Sequence, residues 1–74
     1  MQTHAEMQIE IEKLSPSQRN AMRRICGNSN LDEITVDRIG WKTKVDCHTH
    51  GFRYIVKLGP KGKTLEKIVM DAAR

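Results

Sequence analysis

Two short runs hold most of the chemistry this chain could offer. Cys47-His48-Thr49-His50 sets a thiol close to two imidazoles, and Gly59-Pro60-Lys61-Gly62-Lys63-Thr64 sets two ammonium groups in a glycine-rich turn. The first run has the donor types of a zinc site, but zinc takes four ligands from paired, spaced motifs. Cys26 and His4 are the only other residues of those types, and no CxxC or HxxxH pair exists. No metal and no other cofactor is expected. His48 and His50, near Lys44 and Arg53, also have the groups a small metal-free ribonuclease needs for proton transfer. No further catalytic constellation stands beside them, so the chain is read as a non-enzyme, with His-dependent RNA cleavage as the third reading.

The glycine-rich run follows an expected strand and opens an expected helix, as a phosphate-binding loop does. That loop needs a glycine, four residues, then Gly-Lys-Thr. Lys57 stands where the first glycine belongs, and a domain this short has no room for a nucleoside triphosphatase. What remains is simpler: free backbone N–H groups, with Lys61 and Lys63, hold one nucleic-acid phosphate. An ordinary polar loop is the alternative. Arg19 and Arg23 lie one turn apart on an expected helix, with Arg24 beside them, and arginines so placed grip phosphates bidentately. A solvated face explains them equally well.

Charge leans the same way. The 74 residues carry a net charge of +4. Residues 1–37 hold four basic and six acidic side chains, whereas residues 38–74 hold nine basic and three acidic. Such asymmetry points to an anionic partner for the second half, or to a lysine-rich solvated surface. No apolar run approaches the roughly 18 residues that span a membrane, so no membrane partner is expected. The first residues lack the basic and apolar regions of a secretion signal. An intracellular, reducing compartment follows as an expectation, cytoplasmic or nuclear, with Cys26 and Cys47 as thiols.

These groups need elements to hold them. Residues 1–6 read as a flexible lead-in and 7–74 as one small domain. Met7-Gln8-Ile9-Glu10-Ile11-Glu12 alternates without a break and predicts a strand with an acidic outer face. Ser15-Pro16-Ser17-Gln18 predicts a capped helix start, running to about Cys26 with Gly27 as its stop. Asn28-Ser29-Asn30 reads as a loop, and Ile34–Arg38 as a second strand. Trp41–Cys47 and Phe52–Leu58 form two strands joined by His48-Thr49-His50-Gly51. One face of that hairpin is apolar: Trp41, Thr43, Val45, Cys47, Phe52, Tyr54, Val56 and Leu58. The other is mostly cationic: Lys42, Lys44, Asp46, Arg53, Ile55 and Lys57. Core packing is the favoured role of Trp41, Phe52 and Tyr54. Leu65, Ile68, Val69 and Ala72 recur at helical spacing and predict a last helix to about Ala73, with Lys63, Lys67 and Arg74 off the stripe.

The expected order is β-α-β-β-β-α. This α+β class gives a mainly antiparallel four-stranded sheet with two helices on one face, leaving the cationic hairpin face open.

Met7-Gln8-Ile9-Glu10-Ile11, Leu14-Ser15, Arg19 and Arg53-Tyr54-Ile55-Val56-Lys57 together resemble the small α/β domains named for an Arg-x-x-x-His motif. That family binds single-stranded nucleic acid. Arg19 stands in the place of its arginine and Arg23 in that of its histidine. The second half is also similar to a double-stranded-RNA-binding domain, whose lysines at the start of the last helix match Lys61, Lys63 and Lys67. Its Gly-x-x-His loop is absent. Both resemblances imply an RNA-type ligand.

The reading is a nucleic-acid-binding module for RNA or single strands, with RNA before DNA. Its contacts are Arg19, Arg23, Lys42, Lys44, His48, His50, Arg53, Lys57, Lys61, Lys63 and Lys67. The alternative is a small protein-interaction or inhibitory module with a protein partner on the hairpin or an edge strand.

Overall fold

The computed structural model describes residues 1–26 and 31–71. In chain order these form α1 (His4–Glu12), α2 (Pro16–Cys26), β1 (Glu33–Ile39), β2 (Lys42–Thr49), β3 (Phe52–Leu58) and β4 (Thr64–Asp71). The strands make one antiparallel sheet in the order β1-β2-β3-β4. The α+β class and the four-stranded antiparallel sheet are as expected. The element order is not: the first predicted strand is a helix and the last predicted helix is a strand.

The first correction has a local cause. Thr3 and Glu6 form a capping box, each side chain bonded to the other's backbone N–H, at 3.1 and 2.8 Å. Two free helix donors are thereby satisfied. The segment expected as a lead-in thus holds the cap and first turn of α1. The alternation of Met7, Ile9 and Ile11 is a coincidence of two periods. Met7 is buried and Ile11 half-buried, one turn apart on the same stripe, while Ile9 points to solvent.

The second correction comes from the sheet. Gly59 N–H donates to Lys63 O at 2.8 Å and Gly62 N–H to Gly59 O at 3.0 Å, turning the chain back on itself. Residues 64–71 then pair with the free side of β3, from Leu58↔Thr64 to Phe52↔Asp71. A helix here would leave the outer N–H and C=O groups of β3 unpaired. Leu65, Ile68 and Val69 of the helical stripe bury nothing, since every residue of β4 is exposed. The last part of that predicted helix, 72–74, lies outside the described residues, as do the predicted Gly27 stop and Asn28–Asn30 loop.

Alternation in the middle strands holds. Ile34, Val36, Val45, Cys47, Val56 and Leu58 are buried on one face, against Met7, Leu14, Ala21 and Met22. Both helices therefore cover the same side. α2 starts as predicted: Gln18 N–H donates to Ser15 Oγ at 3.2 Å, and Ser15 N–H to Gln18 Oε1 at 3.0 Å. Gln18 is itself buried. Its Nε2 donates to Thr43 Oγ1 (3.2 Å) and Gly59 O (3.0 Å), tying the start of α2 to β2 and to the β3–β4 turn.

The two outer edges of the sheet differ. Along β1, the Gln2 amide replaces a neighbouring strand: Nε2 donates to Ile34 O at 2.8 Å, and Ile34 N–H donates to Oε1 at 2.7 Å. Val36 N–H donates to Glu10 Oε1 at 2.9 Å, and Arg38 donates to Lys13 O at 3.1 Å. Nothing among the described residues pairs with the outer side of β4.

Candidate nucleic-acid interface

The hairpin turns are tighter than expected. β2 runs through His48 and Thr49, leaving only His50-Gly51 as the turn, with φ of 51° and 79°. Positive φ at both positions is what a two-residue I′ hairpin requires. His48 therefore sits in the strand and faces the open side, whereas its neighbour Cys47 faces the helices. Successive strand residues point to opposite faces, so Cys47 and His48 do not share a site. His50 is exposed at the turn. Among the described residues, no group of three His, Cys, Asp or Glu side chains converges.

The open face is less cationic than the hairpin alone suggests. Lys42, Lys44, Arg53 and Lys57 share it with Asp46, but the flanking strands add Glu33 and Asp37 from β1 and Glu66 from β4. Formal charge among these groups balances. Arg53 holds Asp46 with two bonds, Nε to Oδ1 at 3.0 Å and a second nitrogen to Oδ2 at 2.6 Å. This pairing keeps the Asp46 carboxyl below the usual aspartate range and raises Arg53. His48 Nε2 lies 4.0 Å from Asp46 Oδ1. Lys57 lies 3.5 Å from Glu66. Sequence reasoning takes Arg53 and Lys57 as free because their acids come from other strands or lie seven residues away.

The remaining lysines gather at one end of the sheet. Lys42 opens β2, Lys44 faces Lys57 across the β2–β3 pair, and Lys61 and Lys63 lie in the β3–β4 turn at that same end. Lys42, Lys44, Lys61 and Lys63 make no ion pair among the described residues. Trp41 stands at the same end, in the β1–β2 turn. Expected in the core, it is instead 63% exposed. The reason is its place in the chain: with Ile39 paired to Lys42, Trp41 is the second residue of a two-residue turn whose first is Gly40 at φ 63°. A positive φ at that first position suits a II′ turn, and the indole projects from its tip. Lys42 Nζ lies 5.3 Å from the ring centroid, within cation–π range. A Cβ at Gly59 would lie 3.9 Å from Trp41 Cζ3 and 3.8 Å from Lys63 Cβ, so the indole and Lys63 both flank the Gly59 backbone.

The other expected contacts are scattered. Arg19 and Arg23 sit on α2, on the far side of the sheet from Lys42 and Lys44, and Arg23 donates to Asn20 Oδ1 at 3.2 Å. Lys67 belongs to β4 and is close enough to Cys26 to favour its thiolate. The segments that resembled a first strand and a last helix of known nucleic-acid-binding domains take the opposite forms here. Comparison with protein-family models, curated proteins and solved structures returned no match. No helix among the described residues is long and apolar enough to cross a membrane.

Proposed function

We propose that this chain is a nucleic-acid-binding module that holds a single strand across the Trp41 end of its sheet. The observation that carries the reading is the exposed indole with Lys42 5.3 Å from its ring and Lys63 beside the same Gly59 backbone, at the end of the sheet that also holds Lys44 and Lys61. An exposed aromatic ring offers a stacking surface to any base, and lysines beside it neutralise the phosphates on either side. Asp37 and Glu66 at the same end repel anions, which favours a short strand over a long duplex track. His48, His50 and Arg53 lie toward the opposite end of the hairpin, so one short ligand does not engage both sets.

Trp41 is the only tryptophan, which makes the test direct. Titration with a short single-stranded RNA at low salt is expected to quench its fluorescence, and affinity is expected to fall steeply as salt rises. Parallel titrations with single-stranded DNA and double-stranded RNA rank the ligand classes. Unchanged Trp41 fluorescence with every oligonucleotide at low salt would overturn the reading. The protein-interaction alternative rests on a different surface, the outer edge of β4, which pairs with no other strand among the described residues.

A further inference from the structure

We propose that Cys26 and Cys47 form a two-thiolate site for a soft monovalent cation, copper(I), on the helix-covered side of the sheet. This inference is independent of the nucleic-acid reading, which uses the other end of the sheet.

Cys26 is the last residue of α2, Cys47 lies on the inner face of β2, and their sulfurs are 3.4 Å apart. Both are free thiols. They are 21 residues apart in the chain, so no short motif announces the pair. Two bonds of about 2.3 Å, the usual length from a thiolate to zinc, span at most about 4.6 Å. An ion of that size entering between the sulfurs parts them by roughly an ångström, which is within reach of side-chain torsion at Cys26.

The donor set selects the ion. A closed zinc site takes four ligands, and an iron–sulfur cluster takes four thiolates. Among the described residues, no third His, Cys, Asp or Glu converges on this pair. Asp46 and His48, the chain neighbours of Cys47, point to the other face of the sheet. The cross-strand partners of Cys47 on its own face are Ile34 and Tyr54, and Cys47 is fully buried in the core. Hard cations need several oxygen ligands or water, which this largely apolar setting withholds. Copper(I) is soft, selects thiolate and thioether sulfur, and is satisfied by few ligands. Met22 lies one turn before Cys26 on α2 and is buried in the same core cluster, which places a thioether on the same stripe of the helix.

Protons and charge also balance. Each thiol gives its proton to solvent and a lone pair to the metal, and no electron is transferred. Two thiolates and one copper(I) leave a single net negative charge. Lys67 is close enough to Cys26 to favour negative charge there, so the complex forms beside a cation rather than as an unpaired buried charge. Cys26, the more exposed thiol, is the point of entry, and Cys47 is the second ligand.

The test is anaerobic titration of the reduced full chain with copper(I) held by a competing chelator, bicinchoninate. Uptake of one copper(I) per chain is expected, with a thiolate-to-copper charge-transfer band in the near ultraviolet. The loaded chain is expected to resist disulfide formation by oxidised glutathione until the metal is removed. Cys26→Ser and Cys47→Ala are each expected to lose at least about a hundredfold in copper(I) affinity, more than a lost outer-shell partner costs. Circular dichroism checks folding, and the partly exposed Cys26→Ser decides the matter if Cys47→Ala does not fold. A wild-type chain that takes no copper(I) from the chelator would overturn the proposal. So would uptake that survives Cys26→Ser, one copper(I) shared between two chains, or zinc(II) displacing the bound copper.

Discussion

Cys26 Sγ lies 3.4 Å from Cys47 Sγ, joining the last turn of α2 to the inner face of β2. The two thiols are unequal. The hydrogen bond between the two sulfurs, together with burial, pushes Cys47 well up. The same bond, helped by the charge of Lys67, brings Cys26 down. Cys26 is also the more exposed of the two, so it is the thiolate that reacts first. With oxidised glutathione added, Cys26 attacks one sulfur of the reagent and expels a glutathione thiolate. Cys47 then loses its proton and attacks the Cys26 sulfur of the mixed disulfide, expelling the second glutathione. The bond that forms draws the sulfurs to about 2.05 Å. The oxidised chain is expected to weigh two hydrogens less and to gain about 3 kcal/mol, seen as a higher thermal midpoint that dithiothreitol reverses. Two titratable thiols persisting after prolonged oxidation would contradict this.

Gly62 seats the β3–β4 turn on α2. A Cβ at this position would lie 2.6 Å from Ser17 O, and its φ of 86° disfavours any side chain. Gly62→Ala is expected to destabilise the fold by about 1–3 kcal/mol. Gln18→Leu keeps volume but leaves Gly59 O and Thr43 Oγ1 without their buried donor, and it removes half of the capping box. A loss of about 2–4 kcal/mol is expected. Urea midpoints measure both changes.

Acid sensitivity follows from two carboxylates. Asp46 is held low mainly by its bonds from Arg53, and Glu10 by Lys13 and then by the Val36 N–H. Each has a folded value below its unfolded one. The stability they contribute is complete above the ordinary values of 3.8 and 4.5, and is lost as pH falls through the lowered ones. Urea midpoints are expected to drop below about pH 4.5. Asp46→Asn with Glu10→Gln is expected to flatten that limb, and an unaltered limb in the double variant would show that other groups set it.

Trp41→Ala separates binding from folding. The indole is largely in water, so the thermal midpoint is expected to stay close to wild type. Affinity for a single strand is expected to fall by about 1–3 kcal/mol, the worth of one base stacked on an aromatic ring. Filter binding or anisotropy reads the loss. An equal fall in midpoint would make Trp41 a packing residue instead.

Much of the middle of the chain is legible in its sequence. Ser15-Pro16 with Gln18 marks the start of α2, because a capping box and a first-turn proline are local devices. Val45, Cys47, Val56 and Leu58 mark the inner face of the hairpin, because strand alternation is local too. Thr3-x-x-Glu6 carries the same kind of signal for α1, but the alternation of Met7, Ile9 and Ile11 masks it. The candidate site is only partly readable. Lys42, Lys44, Lys61 and Lys63 stand out by charge, but Trp41 looks like a core residue as long as its turn is counted as strand.

By itself the sequence determined the features whose periodicity and capping are set within a few residues: α2, β1, the β2–β3 hairpin and the face each presents inward. Tertiary structure alone decided β4, since a segment whose apolar spacing fits a helix becomes a strand when β3 offers an unpaired edge. Pairing across the sheet also decided which charges are neutralised. Asp46 takes Arg53 and Glu66 takes Lys57, while Lys42, Lys44, Lys61 and Lys63 at the Trp41 end make no ion pair among the described residues. No spacing along the chain records that distinction, because the acids that decide it arrive from neighbouring strands.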